Sequence, residues 1–117
     1  MNGAASAAAW AMSEDRGPDS LDAHLRALIK DFGLHGHHER NSIGTEPGWP
    51  DWVILGRGGS LFRELKSQRG RLSPDQRRVG FALTRAGLDF DVWRPSDLLD
   101  GMIHRQLLTI YSAKETT

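Results

Sequence analysis

A sheet covered by helices, α/β or α+β in class, is the fold predicted by three features of the sequence. Short runs of aliphatic, aromatic and β-branched residues alternate with helix-period segments; those segments carry recognisable start and stop residues; and a Gly-rich turn joins two of the apolar runs. The chain has 117 residues and 13.0 kDa, which is the size of one domain.

The first helix is predicted from Leu21, Leu25, Leu28, Ile29 and Phe32, which recur at helical spacing after Asp19 or Ser20 as cap and before Gly33 as stop. Residues 34–39 suit a short strand, and residues 40–49, with Gly44, Pro47 and Gly48, suit a loop. Trp52-Val53-Ile54-Leu55 and Leu61-Phe62-Arg63-Glu64-Leu65-Lys66 read as strands of an antiparallel hairpin turning through Gly56-Arg57-Gly58-Gly59-Ser60. A phosphate loop is the competing reading of those glycines. It lacks the following Lys-Ser/Thr and helix, so no nucleotide cofactor is expected.

Ser73-Pro74-Asp75-Gln76 is a capping box with proline at the first helical position, and it opens a helix carrying Val79, Ala82, Leu83 and Ala86 up to Gly87. Residues 89–93 form a third strand. Ser96-Asp97 is expected to cap one last helix bearing Leu98, Leu99, Met102, Ile103, Leu107 and Leu108. Residues 1–17 are Ala/Ser-rich without periodicity and are expected to be disordered. Met12 is an alternative start, which makes the first eleven residues a candidate upstream extension. Residues 18–111 are expected to form the domain and 112–117 a flexible tail.

Composition excludes several classes. With no cysteine there are no disulfides, thiolate nucleophiles or Cys-based metal sites, and a reducing cytoplasm fits. No apolar run approaches the roughly 18 residues of a membrane span, so no membrane partner is expected. The net charge of zero hides an asymmetry: residues 57–85 hold eight bases against two acids. Such an excess suits a polyanion such as nucleic acid, and a solvated surface can produce it equally.

The chemistry concentrates on the hairpin. Asp51 precedes the first strand, and Glu64 and Lys66 share a face of the second while Leu61, Arg63 and Leu65 point the other way. An in-register hairpin brings Asp51 beside Glu64 and Lys66. Two carboxylates and the Leu65 carbonyl would suit Mg²⁺ or Mn²⁺, which favour hard oxygen ligands and open sites shared with phosphate. Lys66 could then orient a water or meet a developing anion. Taken singly, each residue also reads as a solvated strand or turn residue; together they interrupt apolar strands at a cost that argues for a site. Arg63 is expected to reach an edge or to pair with an acid. Arg57, Arg69, Arg71, Arg77 and Arg78 flank the hairpin as candidate grips on a nucleic-acid backbone, with a solvated surface as the alternative for about half of them. His35, His37, His38 and Glu39 raise a zinc alternative that no downstream metal-spaced His completes; His37, His38 or Arg40 touching phosphate near the hairpin site is a further possibility.

Gly48-Trp49-Pro50-Asp51, then Glu64-Leu65-Lys66 thirteen residues after Asp51, then Gly70-Arg71-Leu72-Ser73-Pro74-Asp75-Gln76 resembles the VRR-NUC branch of the PD-(D/E)xK nucleases, especially small stand-alone phage versions. Arg94-Pro95-Ser96-Asp97 adds to the resemblance, which spans roughly residues 19–100. It implies a restriction-endonuclease-like mixed central sheet flanked by helices. The implied activity is metal-dependent hydrolysis of DNA phosphodiesters, often at Holliday junctions or flaps, in replication, recombination or repair within a bacterial or phage-infected cell. Asp51 and Glu64 would be metal ligands, Lys66 the catalytic lysine and Gln76 a supporting active-site residue. The family often carries a glutamate early in its first helix. Here Asp22 is the substitute, while Asp19 and Ser20 stand nearby. A homodimer would match two cleavage points by two-fold symmetry. Two other classes remain open: a non-catalytic DNA-binding module, and a structural protein on the same scaffold.

Overall fold

The computed structural model describes residues 5–39 and 46–112. Its elements are α1 (Ala7–Ala11), α2 (Leu21–Phe32), β1 (His35–His38), β2 (Trp52–Gly56), β3 (Gly59–Leu65), α3 (Pro74–Arg85), β4 (Phe90–Trp93), α4 (Pro95–Leu99) and α5 (Met102–Tyr111). The strands form one sheet in the order β1-β2-β3-β4. The first two pairings are antiparallel, and β3 pairs with β4 in parallel. That last pairing needs a crossover, which α3 supplies. Among the described residues no helix is long and apolar enough to cross a membrane.

Strand alternation sorts the hairpin. Trp52 and Ile54 of β2, with Leu61 and Leu65 of β3, share a buried cluster with Leu21, Leu25 and Ile29 of α2 and Ile103, Leu107 and Ile110 of α5. Burying each aliphatic side chain contributes about 1.5–3 kcal/mol, far more than helix propensity, so this stripe decides where α2 and α5 lie. On β4 a close approach matters: a Cβ at Gly80 of α3 would collide with the Phe90 ring, so only glycine lets the crossover helix sit this near the sheet.

Helix ends follow the sequence signals closely. Ser20 accepts the Ala23 amide at 3.1 Å, and Gly33 stops α2 in the left-handed region at φ 70°. Ser73 and Gln76 make both bonds of the capping box. Two expectations about the last helix are corrected. The final helix is two helices, because Gly101 at φ 88° breaks the run between α4 and α5. Its N-cap is Arg94, whose amide donates to Asp97 Oδ2 at 2.8 Å, while the Ser96 side chain is engaged by Gln68.

The disorder expected up to residue 17 is the other correction, over the described residues 5–17. Ser6 caps α1, Ala9 is fully buried, and the carbonyls of Ser13 and Glu14 accept the Leu21 and Asp22 amides at 2.9 and 3.0 Å. The first amides of any helix lack intrahelical partners, and here the preceding segment fills that role. Residues 113–117 of the expected tail lie outside the described residues.

Arg63 is buried to 1% exposure within the core face. Its guanidinium lies 4.9 Å from the Trp93 ring centre and donates to the carbonyls of Phe62 and Asp89, to Gln106 Oε1 and to the Asp89 carboxylate. The expected acid partner is therefore Asp89, but its side chain is 59% exposed, so most of the stabilisation comes from the carbonyls and from packing. Arg63→Ala is expected to cost about 2–4 kcal/mol in urea unfolding and Asp89→Asn less than about 1 kcal/mol. Equal costs would mean that the ion pair dominates.

Candidate active site

Register builds the site. Trp52 pairs with Arg63, so one step further along the hairpin Asp51 lies opposite Glu64. The Asp51 side chain accepts the Leu65 amide at 2.8 Å, and its carbonyl accepts the Glu39 amide at 2.8 Å. Asp51 thereby closes the ends of β1, β2 and β3 together. Gly48, just before it, packs as closely: it has φ 92°, and a Cβ there would strike the Asp75 carbonyl at the start of α3. A glycine at this point lets the Trp49-Pro50-Asp51 segment lie against the helix that carries Gln76.

Glu64 is 3% exposed, and Lys66 Nζ lies 3.8 Å from its Oε2. The same Oε2 accepts the Gln76 amide at 2.8 Å, while Gln76 Oε1 accepts the Ser73 amide at 2.8 Å. The amide has two ends, so the capping and site roles that compete in the sequence are both filled. Glu64 Oε1 is buried with no hydrogen-bond partner among the described residues. Burial, and then the nearby Asp51 charge, push the Glu64 carboxyl up to about 8, and burial raises Asp51 as well.

A cavity of about 450 Å³ opens on this end of the sheet, lined by Asp51, Leu65, Asp22, Arg26, His38 and Glu14 among others. The expected Asp22 reaches it, yet its oxygens are engaged: Trp52 Nε1 at 2.9 Å, Arg26 Nε at 2.8 Å and His38 Nε2 at 3.4 Å. Arg26 also donates to His38 Nδ1 at 3.1 Å, and arginine has no acceptor, so that nitrogen accepts and Nε2 carries the proton toward Asp22. Asp22 thus works as a hub that holds Arg26 and His38. Glu14 is the carboxylate that sequence reasoning missed. Burial raises its carboxyl, Lys66 opposes that, and Asp51 adds to it, so it belongs to the same electrostatic group. Nothing in the Ala/Ser-rich segment signals this, because the backbone bonds that dock it to α2 leave no mark on the sequence.

The arginines divide. Arg69 and Arg71 lie on the segment between β3 and α3, and Arg77 follows Gln76; all three are exposed. Arg78 is bound to Glu46 at 2.8 Å and to Asp75 at 3.2 Å. Arg57 sits on the turn at the opposite end of the hairpin, lining a separate cavity with Leu34, Leu55 and Tyr111. Arg40 lies outside the described residues. His37 is largely exposed and reaches Glu39 at 3.3 Å, and among the described residues no group of three or more His, Asp or Glu is arranged to hold a metal ion. The donor set at the hairpin is instead a carboxylate pair with an unpartnered buried oxygen. That suits a hard cation completed by waters and a substrate phosphate, as Mg²⁺ is usually held.

The described residues thus form a mixed four-stranded sheet with two carboxylates and a lysine at one hairpin end. No family model matches the sequence, and no curated protein matches it. Among solved structures, a VRR_NUC domain protein superposes on 80% of this chain and 91% of its own, with a TM-score of 0.56 and 19% identity. The chain is similar to it in fold, and the mixed sheet flanked by helices agrees with the PD-(D/E)xK fold that the motif resemblance implies.

A carboxyl group whose folded pKa is raised favours the fold while protonated. Its contribution is complete below its ordinary value of 4.5 and is lost as pH rises through about 8. In EDTA, the melting temperature of the wild type is therefore expected to fall between about pH 5 and about pH 9 more steeply than that of Glu64→Gln, which stays neutral. Equal slopes in thermal unfolding would contradict an ionisable Glu64 in this buried position.

Proposed function

We propose that this protein is a Mg²⁺- or Mn²⁺-dependent endodeoxyribonuclease that hydrolyses phosphodiester bonds, with branched DNA as its substrate and a homodimer as its working form. The observation that carries this reading is the meeting of Asp51, Glu64 and Lys66 at one end of the β2–β3 hairpin, beside a cavity that Asp51 and Leu65 line, with Glu64 Oε1 buried and unpartnered. Its fold similarity to a VRR_NUC domain protein supports the same direction.

Asp51, Glu64 and the Leu65 carbonyl would hold the cation, with Glu14 as a fourth oxygen source near them. The bound ion supplies a water of lowered pKa and neutralises charge on the scissile phosphate. Gln76 holds one oxygen of Glu64 and so sets the rotamer of the carboxylate. Lys66 presents its ammonium beside Glu64, where it can orient the attacking water or meet the charge that develops on the phosphate. Arg69, Arg71 and Arg77 offer exposed cations to flanking phosphates.

End-labelled four-way junction, flap, duplex and single-stranded DNA incubated with Mg²⁺, Mn²⁺ or EDTA tests this. Cutting is expected with either metal, none in EDTA, and a loss of at least about 100-fold in Glu64→Ala and Lys66→Ala. Gln76→Ala should lose less, since it positions Glu64 without being a ligand. Retained cutting in the Glu64/Lys66 double variant would refute the assignment; DNA shifted in a gel but never cut would favour a binding module.

A further inference from the structure

The cavity of the candidate site adjoins a second, and that one a third, through shared lining residues. Glu14 and Asp15 are shared with a second cavity of about 450 Å³ that is also lined by Ser13, Arg16 and Ser67. Ser67 is shared in turn with a third, of about 390 Å³, lined by Trp10, Gln68 and Arg69. These adjoining cavities form a trough that runs, by way of Glu14, Asp15 and Ser67, from Asp51 and Leu65 to the Trp10 ring.

That ring is placed outward. Ala9 is buried and anchors α1, so the neighbouring Trp10 stands 50% exposed. The Arg69 guanidinium lies 5.0 Å from its ring centre. The segment carrying Arg69 is pinned from below: Arg94 Nη1 donates to the carbonyls of Ser67 at 2.8 Å and Gly70 at 2.6 Å, and Gln68 exchanges two 3.0 Å bonds with Ser96. Shielding an exposed indole would not require such a fixed loop. A ring and a planar cation held in advance lower the ordering cost of binding a flat π-system, and every nucleobase offers one.

We propose that Trp10 and Arg69 form a shelf on which an unpaired base of a DNA strand stacks, with Arg16 along the trough facing the backbone that runs toward Asp51. A paired base cannot occupy the shelf, so it selects DNA with single-stranded character beside the cleavage point. This inference rests on the nuclease reading for its substrate and on the trough for its location.

Fluorescence anisotropy in EDTA, with a labelled single strand and a duplex of equal length, separates the outcomes. Trp10→Ala is expected to weaken single-strand binding by about 5-fold or more and duplex binding by less than about 2-fold, and Trp10→Phe to restore most of the loss. Arg69→Ala should also reduce the salt dependence by about one phosphate contact. An abasic nucleotide scanned along the strand should weaken the wild type at one position and Trp10→Ala at none. Equal effects on both DNAs, or none, would overturn the shelf. The same proteins are then given Mg²⁺. Cutting without any Trp10-dependent preference would leave the nuclease reading standing and remove the shelf. Trp10-dependent binding without cutting in any metal would do the reverse.

Discussion

Register in the β2–β3 hairpin is the constraint on which the candidate site depends. Side chains in a strand alternate with a period of two, so a slip of one residue would send Glu64 and Lys66 to the face of the α2 and α5 core and bring Leu61, Arg63 and Leu65 out of it. Apolar burial opposes that slip at Leu61 and Leu65, which are 3% and 2% exposed. The Asp51 carboxylate opposes it again by taking the Leu65 amide. The bond that terminates the sheet therefore also places the carboxylate pair, and stability and site geometry share one cause.

Such placement has an electrostatic cost. Two carboxylates sit side by side in a buried position, where desolvation disfavours both charges and the Asp51 charge raises Glu64 further. Lys66 and Gln76 offset part of this from one side, and only at one oxygen of Glu64. A buried acid pair with incomplete compensation is a poor structural element and a good receptor for a cation, since a divalent ion removes the repulsion and satisfies the remaining oxygen.

Three arginines show how one residue type serves different ends. Arg63 is internal and acts as a hydrogen-bonding peg between β3, β4 and α5. Arg94 ties the segment after β3 to the start of α4 by its grip on three carbonyls. Arg26 is held by Asp22 and His38 beside Trp52 and faces the cavity. Charge counts along the chain rank these residues alike; what differs is whether backbone carbonyls, carboxylates or solvent surround the guanidinium.

Local codes were legible in the sequence. Ser20, Gly33, Ser73, Pro74 and Gln76 mark helix ends because capping is decided within four residues, and the hairpin follows from alternation plus a glycine turn. The Asp51, Glu64 and Lys66 grouping was legible for the same reason, being a consequence of strand period and a short connection. Tertiary structure alone decided the rest. It docked residues 5–17 through the Ser13 and Glu14 carbonyls, assigned Asp22 to Arg26, His38 and Trp52 and brought Glu14 toward Lys66. Each of these rests on groups distant in sequence, and backbone carbonyls, present in every residue, carry no trace of which donor will meet them.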